Sequence, residues 1–246
     1  MSRFFAIALG LLIGGVALGL ALRFGQLVSL GVPAQNATHA HSHALYWGWA
    51  GLALFSFFFE RVGLTGRWPK VVLALLSLQS LATLGVFYRF GYERPGVVLS
   101  ALTLVPFLSA VVMFLVAARG RREADLSFLR AATLFVVLAY VSALGRVVIK
   151  VMAVADPIWA ALAVHVFLGA FGAFFVLGLM GLTVRALGPS RGRVLGLVLG
   201  TSALLIAWPS LLSIPGIEHT VLGPVAQLAA VAMGVPIEPL ALLVAV

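Results

Sequence analysis

The sequence predicts an all-α fold, a polytopic transmembrane bundle of seven to eight helices, from two observations. Hydrophobic residue types make up 63% of the 246 residues and charged types only 9%, whereas a soluble domain usually carries about 25% charged residues. The apolar residues also occur in runs of about 20, the length that spans a bilayer. So few charges cannot cover the surface of a water-soluble protein, which excludes soluble enzymes and disordered chains. No linker or repeat divides the chain, and we expect a single transmembrane domain over residues 1–246.

Eight segments come near the length of a span. In order they are Phe4–Leu22, Ala37–Phe59, Val71–Phe87, Pro95–Ala118, Ser127–Val154, Pro157–Val184, Val194–Ile214 and Thr220–Val235. The first is longer than the apolar core of a signal peptide, so we expect a retained helix. The sixth begins with Pro157, a favoured first helical position. Pro224 interrupts the eighth and Pro236 and Pro239 follow it, so seven helices with a re-entrant C-terminal piece is the alternative.

Basic residues in the short connections predict the orientation. Lys and Arg concentrate in cytoplasmic loops, and most of them here fall on the same side as the N-terminus, most densely at Arg119-Gly120-Arg121-Arg122. We therefore expect a cytoplasmic N-terminus in a cell inner membrane. The formal charge of +9 is explained by these basic residues in the cytoplasmic connections. We therefore expect no nucleic-acid partner.

The histidines are the candidate metal ligands, because the chain has five of them and no cysteine. They are His39, His41, His43, His165 and His219. In the predicted topology all five lie toward the outer, periplasmic side. Neutral imidazole binds haem iron, copper and zinc. At about 100° per residue His39 and His43 share one helix face and His41 points away from it, so the triplet can serve two faces.

The second segment also carries a resemblance to a known family. His41-Ser42-His43, Gly48-Trp49 and the aromatic run that ends at Arg61 resemble helix two of small membrane proteins related to subunit I of haem-copper oxidases, including the haem-copper-type proteins linked to nitric oxide response. The resemblance covers only His41–Arg61. It implies a low-spin haem b held by a histidine at the outer end of helix two. Where those proteins have a polar residue after the paired histidines, this chain has Ala44 and Leu45.

For a bound haem b, we predict His43 and His165 as the two axial ligands. His165 lies well inside a predicted span, and His43 lies about 3 Å deeper along the helix axis than His41, closer to the depth of His165. His41 is then left to bond a propionate or to bind a separate metal. Gly48 follows His41 by seven residues and Gly169 follows His165 by four, on the same helical faces. Glycine at those places lets a flat ring lie against the backbone, or lets helices pack closely.

Two cations in the fifth segment are candidate partners for the haem propionates. Arg146 and Lys150 are four residues apart, so they share a helix face near the outer end of the segment. Charges at such a depth need anionic partners or must reach the interface. Asp156 and lipid headgroups are the alternative partners.

Three functions remain open on the sequence. The first is a haem-b-binding membrane protein acting in electron transfer or in nitric oxide or oxygen handling, with a quinone or a periplasmic redox protein as partner. The second is a copper or zinc binding or transport protein whose outer-face histidines, His39 included, converge on the metal. The third is a non-catalytic subunit of a respiratory complex, or a homo-oligomer. No catalytic residue is assigned, and whether the chain is an enzyme stays open.

Overall fold

The computed structural model of this chain describes residues 2–24, 31–152 and 157–188. The described residues form helices and no strand, which confirms the all-α class. Five of these helices are long and apolar enough to cross a membrane: Arg3–Leu22, Arg67–Phe90, Arg94–Ala117, Ala124–Ile149 and Val166–Leu187. The predicted seventh and eighth segments and His219 lie outside the described residues. The number of spans and the position of the N-terminus therefore stay predictions.

The surfaces of these helices are those of a membrane protein. Apolar side chains stand outward in rows, with Leu78 in the third predicted segment 65% exposed and Val116 in the fourth 68% exposed. Leu134 is likewise 64% exposed. Apolar surface on this scale is disfavoured in water and is what a lipid solvent requires. The chain thus has the surface of a multi-pass membrane protein.

Contacts divide the chain into two compact units, residues 1–119 and residues 120–246. The helices of the first unit are α1 (Ser2–Arg23), α2 (Ala34–His43), α3 (Leu52–Val62), α4 (Arg67–Phe90), α5 (Arg94–Leu102) and α6 (Leu104–Ala117). Those of the second are α7 (Ala124–Val151) and α8 (Pro157–Leu187). The described part of α8 includes the sixth predicted segment, Pro157–Val184.

The predicted second helix is one continuous rod with a wider turn in its middle. Between α2 and α3 lies a π-helical segment, Ala44–Gly51, whose hydrogen bonds run from residue i to residue i+5. The rod ends at Gly63, which has φ 78° and can adopt this left-handed conformation without a Cβ penalty. The amides of Gly63 and Leu64 bond the carbonyls of Glu60 and Phe59 at 3.1 and 2.8 Å, closing a Schellman cap.

Aromatic rings fill the core of the first unit. Phe55, Phe58 and Phe114 are fully buried, and the rings of Phe58 and Phe114 lie 5.0 Å apart between centroids. Phe107 links this core to the π segment through Trp47, with centroids 4.9 Å apart at an interplanar angle of 80°. Edge-to-face pairs of this kind add to the burial of apolar area. The second half of the rod, α3, is thereby packed against α6.

The predicted fourth helix is interrupted at Thr103, between α5 and α6. Pro106 lacks an N–H and its ring clashes with the preceding turn, which accounts for the break. The side-chain amide of Gln79 on α4 donates to the Leu99 carbonyl at 2.6 Å and to the Thr103 hydroxyl at 2.8 Å. These bonds tie the irregular turn to α4 where lipid offers no partner.

The second unit pairs α7 with α8. The hydroxyl of Ser142 donates to the Ala163 carbonyl at 2.6 Å. Nearer the other end, a Cβ at Gly181 would collide with the side chain of Leu129, so glycine permits the close approach of the two helices there. Small residues and interhelical hydrogen bonds are the usual means of holding helices together in lipid.

Candidate functional site

The three histidines of α2 lie where this helix meets α1 on one side and the connection between α4 and α5 on the other. His39 and His43 face Phe87 and Tyr92. Phe87 lies in the last turn of α4 and Tyr92 in the connection after it. His41 faces α1 instead. The structure thus divides the triplet between two faces, in the way that helical periodicity indicates.

His41 is held by the backbone of α1. Its Nδ1 lies 2.7 Å from the carbonyl oxygen of Gly15. A carbonyl oxygen only accepts, so Nδ1 carries the proton and donates, which leaves the lone pair on Nε2. The ring lies close against Gly19, where an added Cβ would stand 2.5 Å from Cε1 and 2.9 Å from Nδ1. This is the tautomer and the backbone tether that metal-ligating histidines commonly have.

His43, the first predicted axial ligand, has a different environment. Its Nε2 lies 3.1 Å from the hydroxyl oxygen of Tyr92. One face of its ring stacks on Phe87, with centroids 4.0 Å apart and an interplanar angle of 26°. The space next to the imidazole is therefore taken by aromatic rings, and a macrocycle does not fit there without moving them.

His39 lies one turn before His43 and contacts the same two rings. Its ring centroid is 4.5 Å from that of Tyr92, edge to face, and 6.4 Å from that of Phe87. We call His39, His43, Tyr92 and Phe87 the His–Tyr cluster. The two imidazoles converge on a single phenol.

The connection that carries Tyr92 is fixed to the start of α2. Gly91 has φ 55°, and a Cβ there would collide with the side-chain oxygen of Asn36. The amide nitrogen of Asn36 donates to the Arg89 carbonyl at 3.3 Å. Asn36 precedes His39 by less than one turn, so this contact sets the position of Tyr92 relative to both imidazoles.

Gly48, predicted to line a haem, packs between helices in this structure. A Cβ there would lie 3.1 Å from Leu11 Cδ1 and 3.4 Å from Ser80 Cβ. Those atoms belong to α1 and α4, so Gly48 permits a three-helix contact. This is the close-packing alternative for that glycine.

The remaining predicted site residues lie in the second unit. Arg146 and Lys150 belong to α7, and His165 and Gly169 belong to α8. The structure does not test the haem, propionate or metal roles expected for them, which stay predictions.

A converging metal cluster of His39, His41 and His43 is not formed. Among the described residues, no group of three or more histidine, aspartate or glutamate side chains is placed to hold a metal ion. The physical reason is the helical geometry of α2, which directs His41 toward Gly15 and the other two toward Tyr92.

Sequence reasoning missed three residues that define these environments. Gly15 and Gly19 are two among several glycines of the first segment, and nothing in their pattern identifies a histidine partner. Tyr92 offers a weak signal, because it lies in the short connection between two predicted spans on the same side as the histidines. Short connections keep the ends of neighbouring helices close together, so the sequence places Tyr92 on the same side of the bundle as the histidines.

Comparison with known proteins identifies no relative of this chain. No protein-family model, no curated protein and no solved structure matches the chain. A proposal for the function therefore rests on the chemistry of the two faces of α2, which carry His41 on one side and His39 and His43 on the other.

Proposed function

We propose that this chain is a multi-pass membrane protein that binds haem b through the imidazole of His41 and carries electrons across or along the membrane surface. The observation that carries the proposal is the 2.7 Å hydrogen bond between His41 Nδ1 and the Gly15 carbonyl. A histidine whose second nitrogen is fixed by a carbonyl has its ring orientation and tautomer set in advance, and its basicity as a ligand is raised.

The residues around His41 fit an axial ligand better than those around His43. In His41 the proton is on Nδ1, which donates to the Gly15 carbonyl, so the Nε2 lone pair can bind a metal. In His43, Nε2 already contacts the Tyr92 hydroxyl at 3.1 Å. The proposal therefore keeps the haem expected from the sequence and moves the ligand on α2 from His43 to His41. His165 stays the second ligand proposed on the sequence argument, with Arg146 and Lys150 as propionate partners.

When bound between two imidazoles, haem iron supplies a one-electron redox centre without an open coordination position. His41 would hold the iron, and the α1 backbone would keep the imidazole in its binding orientation. We further propose seven to eight spans with a cytoplasmic N-terminus, which puts His41 toward the periplasmic side. A quinone or a periplasmic redox protein is then the partner within reach.

The test is the spectrum of the protein purified in detergent. We expect a Soret band, with separate α and β bands after reduction, and no change on adding nitric oxide if both axial positions are filled. His41→Ala is expected to lose the haem, and added imidazole is expected to restore it, which a merely structural role for His41 does not predict. His43→Gln is the matched control on the other face and is expected to keep the haem.

Two results would overturn the proposal. One is a colourless wild-type protein that takes up no haem when haem is added to the purified chain. The other is a full, low-spin haem in His41→Ala together with its loss in His43→Gln, which would return the ligand to the register predicted from the sequence.

A further inference from the structure

We propose that His39, His43 and Tyr92 form a binding site for a divalent transition-metal ion of the zinc class, separate from the haem ligand His41. This inference does not rest on the proposed haem. It rests on the convergence of two imidazoles and one phenol on one face of α2.

The spacing of the two histidines is the first step. His39 and His43 are four residues apart on α2, so their side chains are neighbours on one face of the helix. Two histidines at this spacing on a helix are a recognised pair of zinc ligands. Both rings contact Tyr92, with centroids 4.5 and 6.0 Å from the phenol ring.

The distance between His43 and Tyr92 is the second step. Two ligand atoms bound to one zinc ion at Zn–N and Zn–O distances of about 2.0–2.2 Å and near-tetrahedral angles lie about 3.3–3.6 Å apart. Nε2 of His43 and the Tyr92 oxygen are 3.1 Å apart. A metal ion can therefore replace the hydrogen bond after only a small separation of the two atoms. His39, whose ring contacts the same phenol, is the candidate for a second nitrogen ligand.

The ligand chemistry is the third step. Imidazole nitrogen suits zinc and the neighbouring late transition metals, whereas Mg²⁺ and Ca²⁺ prefer sets of oxygen ligands. Two nitrogens and one phenolate oxygen give three protein ligands, which leave a fourth position for water. Phe87 stacks on His43 and restricts the rotation of the imidazole, so part of the entropic cost of ordering this ligand is met before the ion binds.

The position of Tyr92 is fixed independently of any metal. The contact between Asn36 and Gly91 and the bond from Asn36 to the Arg89 carbonyl hold the connection against α2. A ligand set that is already positioned binds more tightly than one that must be ordered. The Tyr92 oxygen and Nε2 of His43 are therefore held near each other before any metal binds.

The experiment is a Zn²⁺ titration of the full-length protein, purified in detergent through an affinity tag that contains no histidine and stripped with a chelator. Isothermal calorimetry is expected to show one site per chain. His39→Ala, His43→Gln and Tyr92→Phe are each expected to weaken binding by about tenfold or more, since loss of even an outer-shell partner commonly costs 10–100-fold in affinity. Tyr88→Phe, one helical turn earlier, is the matched control and is expected to bind like wild type.

Co²⁺ provides a readout of coordination besides affinity. Bound in place of Zn²⁺, it is expected to give the intense visible bands of a four-coordinate ion, and Tyr92→Phe is expected to change them while Tyr88→Phe does not. His43→Gln retains a hydrogen-bonding partner for Tyr92, so it separates loss of a ligand from loss of the fold.

The proposal is overturned if the wild type shows no one-to-one Zn²⁺ site, or if Tyr92→Phe and His39→Ala bind Zn²⁺ as tightly as wild type. It is also overturned if His41→Ala abolishes the site while His39→Ala keeps it. The haem and metal proposals fail separately, because His41→Ala is expected to affect only haem, and His39→Ala and Tyr92→Phe only Zn²⁺.

Discussion

The replacement Gly19→Ala tests the position of His41 without touching the imidazole. An alanine Cβ at this place would stand 2.5 Å from His41 Cε1, whereas carbon atoms in contact lie about 3.5–4.0 Å apart. The ring must therefore move by about 1 Å. The Nδ1–Gly15 bond of 2.7 Å would stretch beyond the upper limit of about 3.2 Å for an N–H···O bond.

Loss of this bond has a calculable effect on haem binding. Removal of the partner that orients a metal-ligating histidine typically lowers affinity by about 10–100-fold, which is about 1.4–2.7 kcal/mol. We expect Gly19→Ala to show this loss when haem is titrated into the purified, haem-free chain. The matched control is Gly14→Ala on the same helix, where an added Cβ meets nothing within 4 Å. Gly14→Ala is expected to bind haem like wild type.

The thermal unfolding temperature gives a second readout that does not depend on haem. Overpacking typically costs about 1–3 kcal/mol, so Gly19→Ala is expected to unfold at a lower temperature than Gly14→Ala. Equal haem affinity in Gly19→Ala, Gly14→Ala and wild type would refute the role of the Gly15 carbonyl. Equal unfolding temperatures of the two variants would refute the close contact between His41 and α1.

Three further predictions concern the topology, the interrupted helix and the basic pair. Arg122→Cys, the single cysteine in the chain, is expected to remain unlabelled by a membrane-impermeant maleimide added to intact cells; labelling would contradict a cytoplasmic N-terminus. Gln79→Leu removes the side-chain bonds to the Leu99 carbonyl and the Thr103 hydroxyl. We expect the free energy of unfolding to fall by about 1–2 kcal/mol, since interhelical bonds of this kind average about 0.6 kcal/mol and reach about 1.7. An unchanged unfolding temperature in detergent would show that these bonds contribute nothing. Replacing both Arg146 and Lys150 by Leu is expected to lower the haem content per chain, and unchanged content would remove them from the proposed propionate site.

Within the described residues, the positions of the helices could be predicted from the sequence, because lipid requires long apolar runs and basic residues mark their ends. The second predicted segment, Ala37–Phe59, is one example, since it lies within the continuous rod from Ala34 to Val62. The break at Thr103 was not foreseen, although Pro106 could have indicated it, because a single proline is often tolerated within a transmembrane helix. The π segment has no sequence signal at all, since Ala44–Gly51 would fit an ordinary α-helix equally well.

The site was predicted in part, and the reason is geometric. Periodicity along α2 correctly separates His41 from His39 and His43, because it depends only on the helix itself. Which helix each face meets depends on tertiary packing. The approach of Gly15 and the position of Tyr92 therefore could not be read from the sequence, and these two contacts distinguish the environments of the imidazoles.

The π segment also determines the angular phase between the two halves of the rod. Each turn closed by i to i+5 bonds holds one residue more than an α-helical turn, which offsets α2 from α3 by on the order of 100° relative to an uninterrupted α-helix. Deleting one residue within Ala44–Gly51 would turn His39 and His43 away from Tyr92 while the aromatic contacts of α3 stay in place. Insertions and deletions in this segment are therefore expected to disturb the positions of His39 and His43 more than side-chain substitutions there.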